Sequence, residues 1–147
     1  MGNPKELKAE DFLLRWEHDQ ESVRFHLTAH TVGWLAIGFT KDESIVNTNL
    51  IMARVVDGEA YGEDQYVIKA GQHPKVESLG VISRIFEISG EQKNGLTTIS
   101  FSLPSESLDR YHFDLSEGNT INVWLAYSVS GDFDHHSRKR ILRKIKL

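Results

Sequence analysis

Apolar and polar residues alternate with a period of two along most of the chain, the spacing of strands that bury one face. Val23, Phe25, Leu27 and Ala29 alternate with Arg24, His26, Thr28 and His30. Ile99, Phe101 and Leu103 are interleaved with Ser100 and Ser102. Ile121, Val123, Leu125, Tyr127 and Val129 share one face, with Asn122, Trp124, Ala126 and Ser128 on the other. Ile141, Ile145 and Leu147 line one side of the last segment, opposite Lys144 and Lys146. The same pattern predicts strands over residues 12–18, 33–40, 49–56, 60–70 and 79–89. Short helices are expected only near residues 4–9 and 105–111. Turn signals fall at Asp57-Gly58, Ala70-Gly71, Ser89-Gly90, Asn94-Gly95, Glu117-Gly118-Asn119 and Ser130-Gly131-Asp132, and Asp57-Gly58 between two apolar runs reads as a tight hairpin. Roughly eight to ten short strands at this spacing predict an all-β fold, an antiparallel, immunoglobulin-like β-sandwich. Strand parity puts Phe25, Leu35, Ile37, Phe101, Val123 and Leu125 in its core.

Composition narrows the function classes. At 147 residues the chain has the size of one domain and can bury a core unaided; no repeat or linker divides it. A net charge of −4 argues against a general nucleic-acid binder, which needs a basic face. The absence of cysteine excludes disulfides, iron–sulfur clusters, thiolate zinc sites and cysteine nucleophiles. No apolar run reaches bilayer length, so no membrane span is expected. The opening Met-Gly-Asn-Pro-Lys-Glu-Leu lacks the apolar stretch of a signal peptide. Either the chain works in the cytoplasm, or an export or anchor segment lies outside this sequence. There is no phosphate loop, dinucleotide fingerprint, His-Glu-x-x-His helix or Gly-x-Ser-x-Gly elbow. The carboxylates Asp42, Glu43, Asp57, Glu59, Asp132 and Asp134 occupy turns, where solvated acids are the ordinary case. The expectation is a domain that holds a ligand or cofactor and is not itself an enzyme.

Three features stand out. His135-His136 sits in a loop before the final strand, where an imidazole nitrogen can be presented to a metal; exposed loop histidines are the plain alternative. Gly33-Trp34-Leu35-Ala36-Ile37-Gly38-Phe39 carries two glycines in a nearly unbroken apolar strand. This signals either close approach of another backbone or flat ligand, or simply a central core strand. Arg138, Lys139, Arg140, Arg143, Lys144 and Lys146 crowd the last ten residues. They read either as an edge strand protected by charge or as a docking patch for an acidic partner or membrane surface. Their alternation with core residues favours the edge strand.

In order along the chain, Val32-Gly33-Trp34-Leu35-Ala36-Ile37-Gly38-Phe39, Asn49-Leu50-Ile51-Met52-Ala53, Val56-Asp57-Gly58, Asp64-Gln65-Tyr66, Ser100-Phe101-Ser102-Leu103-Pro104, Asn122-Val123-Trp124-Leu125-Ala126-Tyr127, then His136 and Arg140 resemble the DOMON family, the β-sandwich typified by the N-terminal domain of dopamine β-monooxygenase. The resemblance covers residues 10–147 and leaves 1–9 as an N-terminal extension. It implies two antiparallel sheets with a ligand pocket, in an extracytoplasmic setting: secreted, periplasmic or membrane-tethered. One class in this family holds haem b between a methionine and a histidine and passes electrons to a redox partner. The other is haem-free and binds a sugar or other small ligand, or mediates protein contacts. His136 falls where the haem histidine lies, and His135 is one position away. The family's methionine lies just before the strand that here begins at Asn49, in a loop that contains none (residues 42–48). Met52, inside that strand, is then either a core residue or the thioether ligand. Without a thioether the site is five-coordinate or takes a second nitrogen from His26, His30 or His73. In a haem-free module, Trp34 or Trp124 would be the aromatic platform. Some haem-free members hold a cation near this strand, which here would be calcium at Asn49 and Asp64.

Overall fold

The computed structural model describes residues 5–147. Ten strands form two antiparallel sheets. They are β1 (Lys5–Ala9), β2 (Phe12–His18), β3 (Ser22–Ala29), β4 (Leu35–Thr40), β5 (Asn49–Val56), β6 (Glu59–Tyr66), β7 (Phe86–Lys93), β8 (Leu96–Pro104), β9 (Thr120–Tyr127) and β10 (Lys139–Lys146). The first sheet runs β1-β2-β3-β8-β7 and the second β10-β9-β4-β5-β6. The fold is the expected all-β antiparallel sandwich.

The core forms where the inward-facing apolar positions of both sheets meet, even-numbered in β2 and odd-numbered in β3, β4, β5, β8, β9 and β10. Phe25 lies 5.7 Å from Phe101 and 5.2 Å from Phe39, centroid to centroid. Phe25, Leu35, Ile37, Phe101, Val123 and Leu125 are all fully buried, as the parity requires. Asp57 and Gly58 both adopt positive φ (53° and 78°) between the paired Val56 and Glu59, the two-residue turn whose twist matches a hairpin.

Several expected elements are corrected. Residues 5–9, expected to be helical and part of an extension, form β1, paired with β2 from Lys5↔Trp16 to Ala9↔Phe12. Helix-prone Lys, Glu and Ala yield because Leu7 can pack on the core only from a sheet edge. Pro4 lies outside the described residues. Residues 105–111 form turns, not a helix. Strand β6 stops at Tyr66, since Val67 leaves the ladder to exchange backbone hydrogen bonds with Asn47 and Thr48. The strand expected over 79–89 begins only at Phe86, after a single 3-10 turn at Val76–Leu79. Ser89-Gly90 is no turn, because Gly90 lies inside β7, where a Cβ would come within 2.8 Å of Val55.

The basic last strand is the edge of its sheet. Lys139 contacts Glu10 and Asp11 at 2.9 and 3.2 Å, and Arg143 contacts Glu10 at 3.3 Å. These local ion pairs agree with the edge-strand reading.

Candidate functional site

The centre of the second sheet is buried on both faces. Every residue of β4 and the first five of β5 are buried, the signature of a strand covered front and back. Odd positions serve the core. On the opposite face, Ala36, Leu50, Met52 and Ala126 join Trp34, Val67 and Phe133 in a separate apolar cluster. Three loops roof this face: residues 41–48, 67–75 and 128–138. Between sheet and roof lies a cavity of about 300 Å³, lined by Trp34, Ala36, Ile45, Leu50, Met52, Val67, His73, Trp124, Ala126, Phe133, His135, His136 and Arg140, among others. Trp34, Met52, Trp124, His135 and His136, distant in sequence, therefore share one site.

The loop that carries the histidine pair is held by many small bonds. Trp34 N–H donates to the Ser130 carbonyl and Ser128 N–H to the Trp34 carbonyl, both at 3.0 Å. Asp132 caps its own turn by accepting from Asp134 N–H at 2.9 Å. The indole Nε1 of buried Trp34 donates to the His135 carbonyl at 3.2 Å. The Arg54 guanidinium lies 4.9 Å from the Phe133 ring and 5.3 Å from Tyr61, and donates to the Gly131 carbonyl at 2.7 Å. The His135 and His136 rings stack at 4.7 Å and are both exposed. They stand at the rim, with Arg140 over Trp124 at 5.4 Å beside them.

Gly33 explains one of the two glycines in the apolar strand. A Cβ there would fall 2.2 Å from the Ser128 carbonyl oxygen and 2.6 Å from backbone atoms of Ser130, so the close approach is that of another backbone. Gly33→Ala should therefore push this loop off the sheet. The expected cost is about 2 kcal/mol, read as a lower midpoint in thermal unfolding. Ligand affinity should fall as well, since the same loop carries His135 and His136.

Among the three further histidines considered as nitrogen donors, the structure separates one. His26 lies on the outer face of the first sheet, bonded to Ser100 at 2.7 Å and Glu17 at 3.1 Å, and His30 is exposed at the end of β3. Only His73 lines the cavity. Its Nδ1 is 2.6 Å from Gln65 Oε1, and Gln65 Nε2 donates to Glu63 Oε1 at 2.9 Å. Met52 also lines the cavity and is 2% exposed. Apolar walls with thioether and imidazole donors are a donor set that suits a haem iron.

Asn49 and Asp64 are not part of this cavity, and their geometry corrects the cation reading. Asn49 turns its amide nitrogen, not its oxygen, to Asp64 Oδ1 at 2.7 Å. Asp64 Oδ2 accepts from Arg84 N–H at 2.8 Å and from His112 Nε2 at 2.6 Å. Both carboxylate oxygens are thus engaged by N–H donors, the opposite of an oxygen shell for calcium. Among the described residues no group of three or more His, Asp or Glu is arranged to hold a metal ion. The knot continues through His112 Nδ1 to Asp109 at 2.7 Å, and Arg84 clasps Asp109 at 3.0 Å. Burial disfavours a charged His112, but the Asp64 and Asp109 carboxylates outweigh it and hold its pKa above the ordinary value.

The sequence reading missed the apolar lining. Its signal is the unbroken runs Leu35–Phe39 and Leu50–Ala53, where a one-sided strand would alternate. Which loops supply the roof has no local signature.

Known proteins share this architecture. The cytochrome domain of Myriococcum thermophilum cellobiose dehydrogenase superposes with a TM-score of 0.71 over 99% of this chain and 82% of that domain, at 12% identity. The cytochrome b domain of pyranose dehydrogenase from Coprinopsis cinerea gives a TM-score of 0.68 over 96% and 80%, at 11% identity. In sequence, the chain is 29% identical over 118 residues to mouse DBH-like monooxygenase protein 2, covering 78% of this chain and 18% of that protein. It is 26% identical over 62 residues to Drosophila melanogaster MOXD1 homolog 2, covering 42% and 8%. The chain thus spans less than a fifth of the length of these two relatives. Residues 8–128 match the DOMON domain model, and the chain belongs to the DOMON domain family.

Proposed function

We propose that this domain binds haem b in the cavity over the outer face of the second sheet, with His136 as an axial nitrogen, and serves electron transfer or redox sensing with a partner protein. The observation that carries the reading is the convergence of His136, His135, His73 and Met52 on one apolar cavity. The two similar solved domains being cytochromes adds support. When bound, the haem iron supplies one-electron chemistry. The chain's own part would be to exclude water with Leu50, Val67, Ala126 and Phe133 and to offer the indoles of Trp34 and Trp124 as cavity walls. It also offers imidazole at the rim, with Arg140 as a cation for the propionates. An extracytoplasmic setting, secreted, periplasmic or tethered to a membrane, fits this role.

Titration of the protein with haemin should give a saturable Soret band. His136→Ala should abolish it or weaken affinity by at least about tenfold, ~1.4 kcal/mol, while His135→Ala does less. A second reading rests on cavity size. At about 300 Å³ the space lies at the small end of ligand pockets, which suits a sugar or other small ligand against Trp34 and Trp124. A titration with no saturable Soret change would decide for that reading.

A further inference from the structure

We propose that His73 is the second axial ligand, so that two imidazoles hold the iron and Met52 remains a packing residue. The inference deepens the haem reading above and rests on it. His73 stands on the loop after β6 and lines the same cavity as His136, which sits on the loop after β9.

The His73 ring is set as metal-ligating imidazoles are set. Gln65 Nε2 is committed to Glu63, so Gln65 Oε1 faces His73 as an acceptor and Nδ1 carries the proton. That tautomer leaves the lone pair on Nε2, which makes no hydrogen bond among the described residues. A partner on the far nitrogen that fixes tautomer and ring orientation is the usual outer-shell device of such ligands. Gln65 is itself 3% exposed, so the relay is anchored. The loop is tied as well: Tyr66 N–H donates to the Pro74 carbonyl and Ile68 N–H to the Gln72 carbonyl, both at 3.0 Å.

Met52 lacks any such setting. It lies mid-strand, paired with Ala36 on one side and Glu63 on the other. Its thioether packs in the apolar cluster with Trp34, Leu50 and Ala126. Packing of this kind is what an unbranched, polarisable side chain does in an irregular gap.

The test uses the haem-loaded chain, read by electron paramagnetic resonance, visible absorption and redox titration. The wild type should be low-spin with a bis-imidazole signature. His73→Ala should lose the low-spin signal, bind carbon monoxide when reduced, and regain the low-spin signal on adding free imidazole. His73→Met should raise the midpoint potential, since a thioether axial ligand does so. Met52→Leu should leave the spin state unchanged. A low-spin spectrum that survives in His73→Ala but is lost in Met52→Leu would overturn the assignment while leaving haem binding intact. A wild type with no saturable Soret change would overturn the haem reading and this inference with it.

Discussion

Leu125→Asp is expected to leave the chain unfolded in water at room temperature. Leu125 is 0% exposed, and β9 is flanked by β4 and β10, so an aspartate there has no route to solvent. Losing the leucine costs about 3 kcal/mol in transfer and cavity terms. Burying a carboxylate without a partner adds several kcal/mol. Together these approach the whole stability of an ordinary domain, about 5–15 kcal/mol. The measurement is far-ultraviolet dichroism with urea titration. A cooperative transition in the variant near the wild-type midpoint would contradict the assignment of Leu125 to the core.

The second large effect lies in the knot of Asn49, Asp64, Arg84, Asp109 and His112. His112→Ala would leave Asp64, whose side chain is 0% exposed, without the one ionisable side chain that hydrogen-bonds it among the described residues. Removing one partner of a buried pair costs about 3 kcal/mol, on the order of 10 °C in the midpoint for a domain of this size. The knot also makes stability depend on pH. His112 has a pKa raised in the folded state, so its protonated form stabilises the fold fully below the unfolded value near 6.5. That contribution fades as pH rises through the folded pKa. Asp109 has the opposite sign. Burial opposes its ionisation, but hydrogen bonds from His112, the Tyr111 N–H and Arg84 outweigh that and lower its pKa. Its contribution is present above the ordinary value of 3.8 and lost as pH falls through the folded one. The thermal midpoint should therefore be highest between about pH 4 and 6.5 and decline above it. His112→Ala should flatten the alkaline limb. An unchanged limb in the variant would show that His112 does not titrate with folding.

This knot also marks how far local reading reaches. Asn49 and Asp64 were picked out by their place in the chain as oxygen donors, and they do meet, 15 positions apart, across the β5–β6 pair. Their chemistry is decided by Arg84, within the segment expected to be a strand, and His112, just beyond the expected helix. Neither the bonded nitrogen of Asn49 nor the N–H groups on Asp64 can be inferred without the tertiary positions of those loops.

Strand parity alone determined the sandwich, its core positions and the hairpin at Asp57-Gly58, because side chains alternate strictly across a pleated strand and Gly tolerates positive φ. Residue type alone also determined that no resident metal is held by thiolate, since no cysteine is available. The tertiary structure decided the rest. It covered the outer face of the second sheet with three loops, because the apolar residues Ala36, Leu50, Met52 and Ala126 on that face must be shielded from water. It brought His73, rather than His26 or His30, to the cavity with His136. Convergence of residues from β4, β5 and three loops depends on sheet order and loop packing, and these are set by contacts between segments far apart in the chain, which no local periodicity encodes.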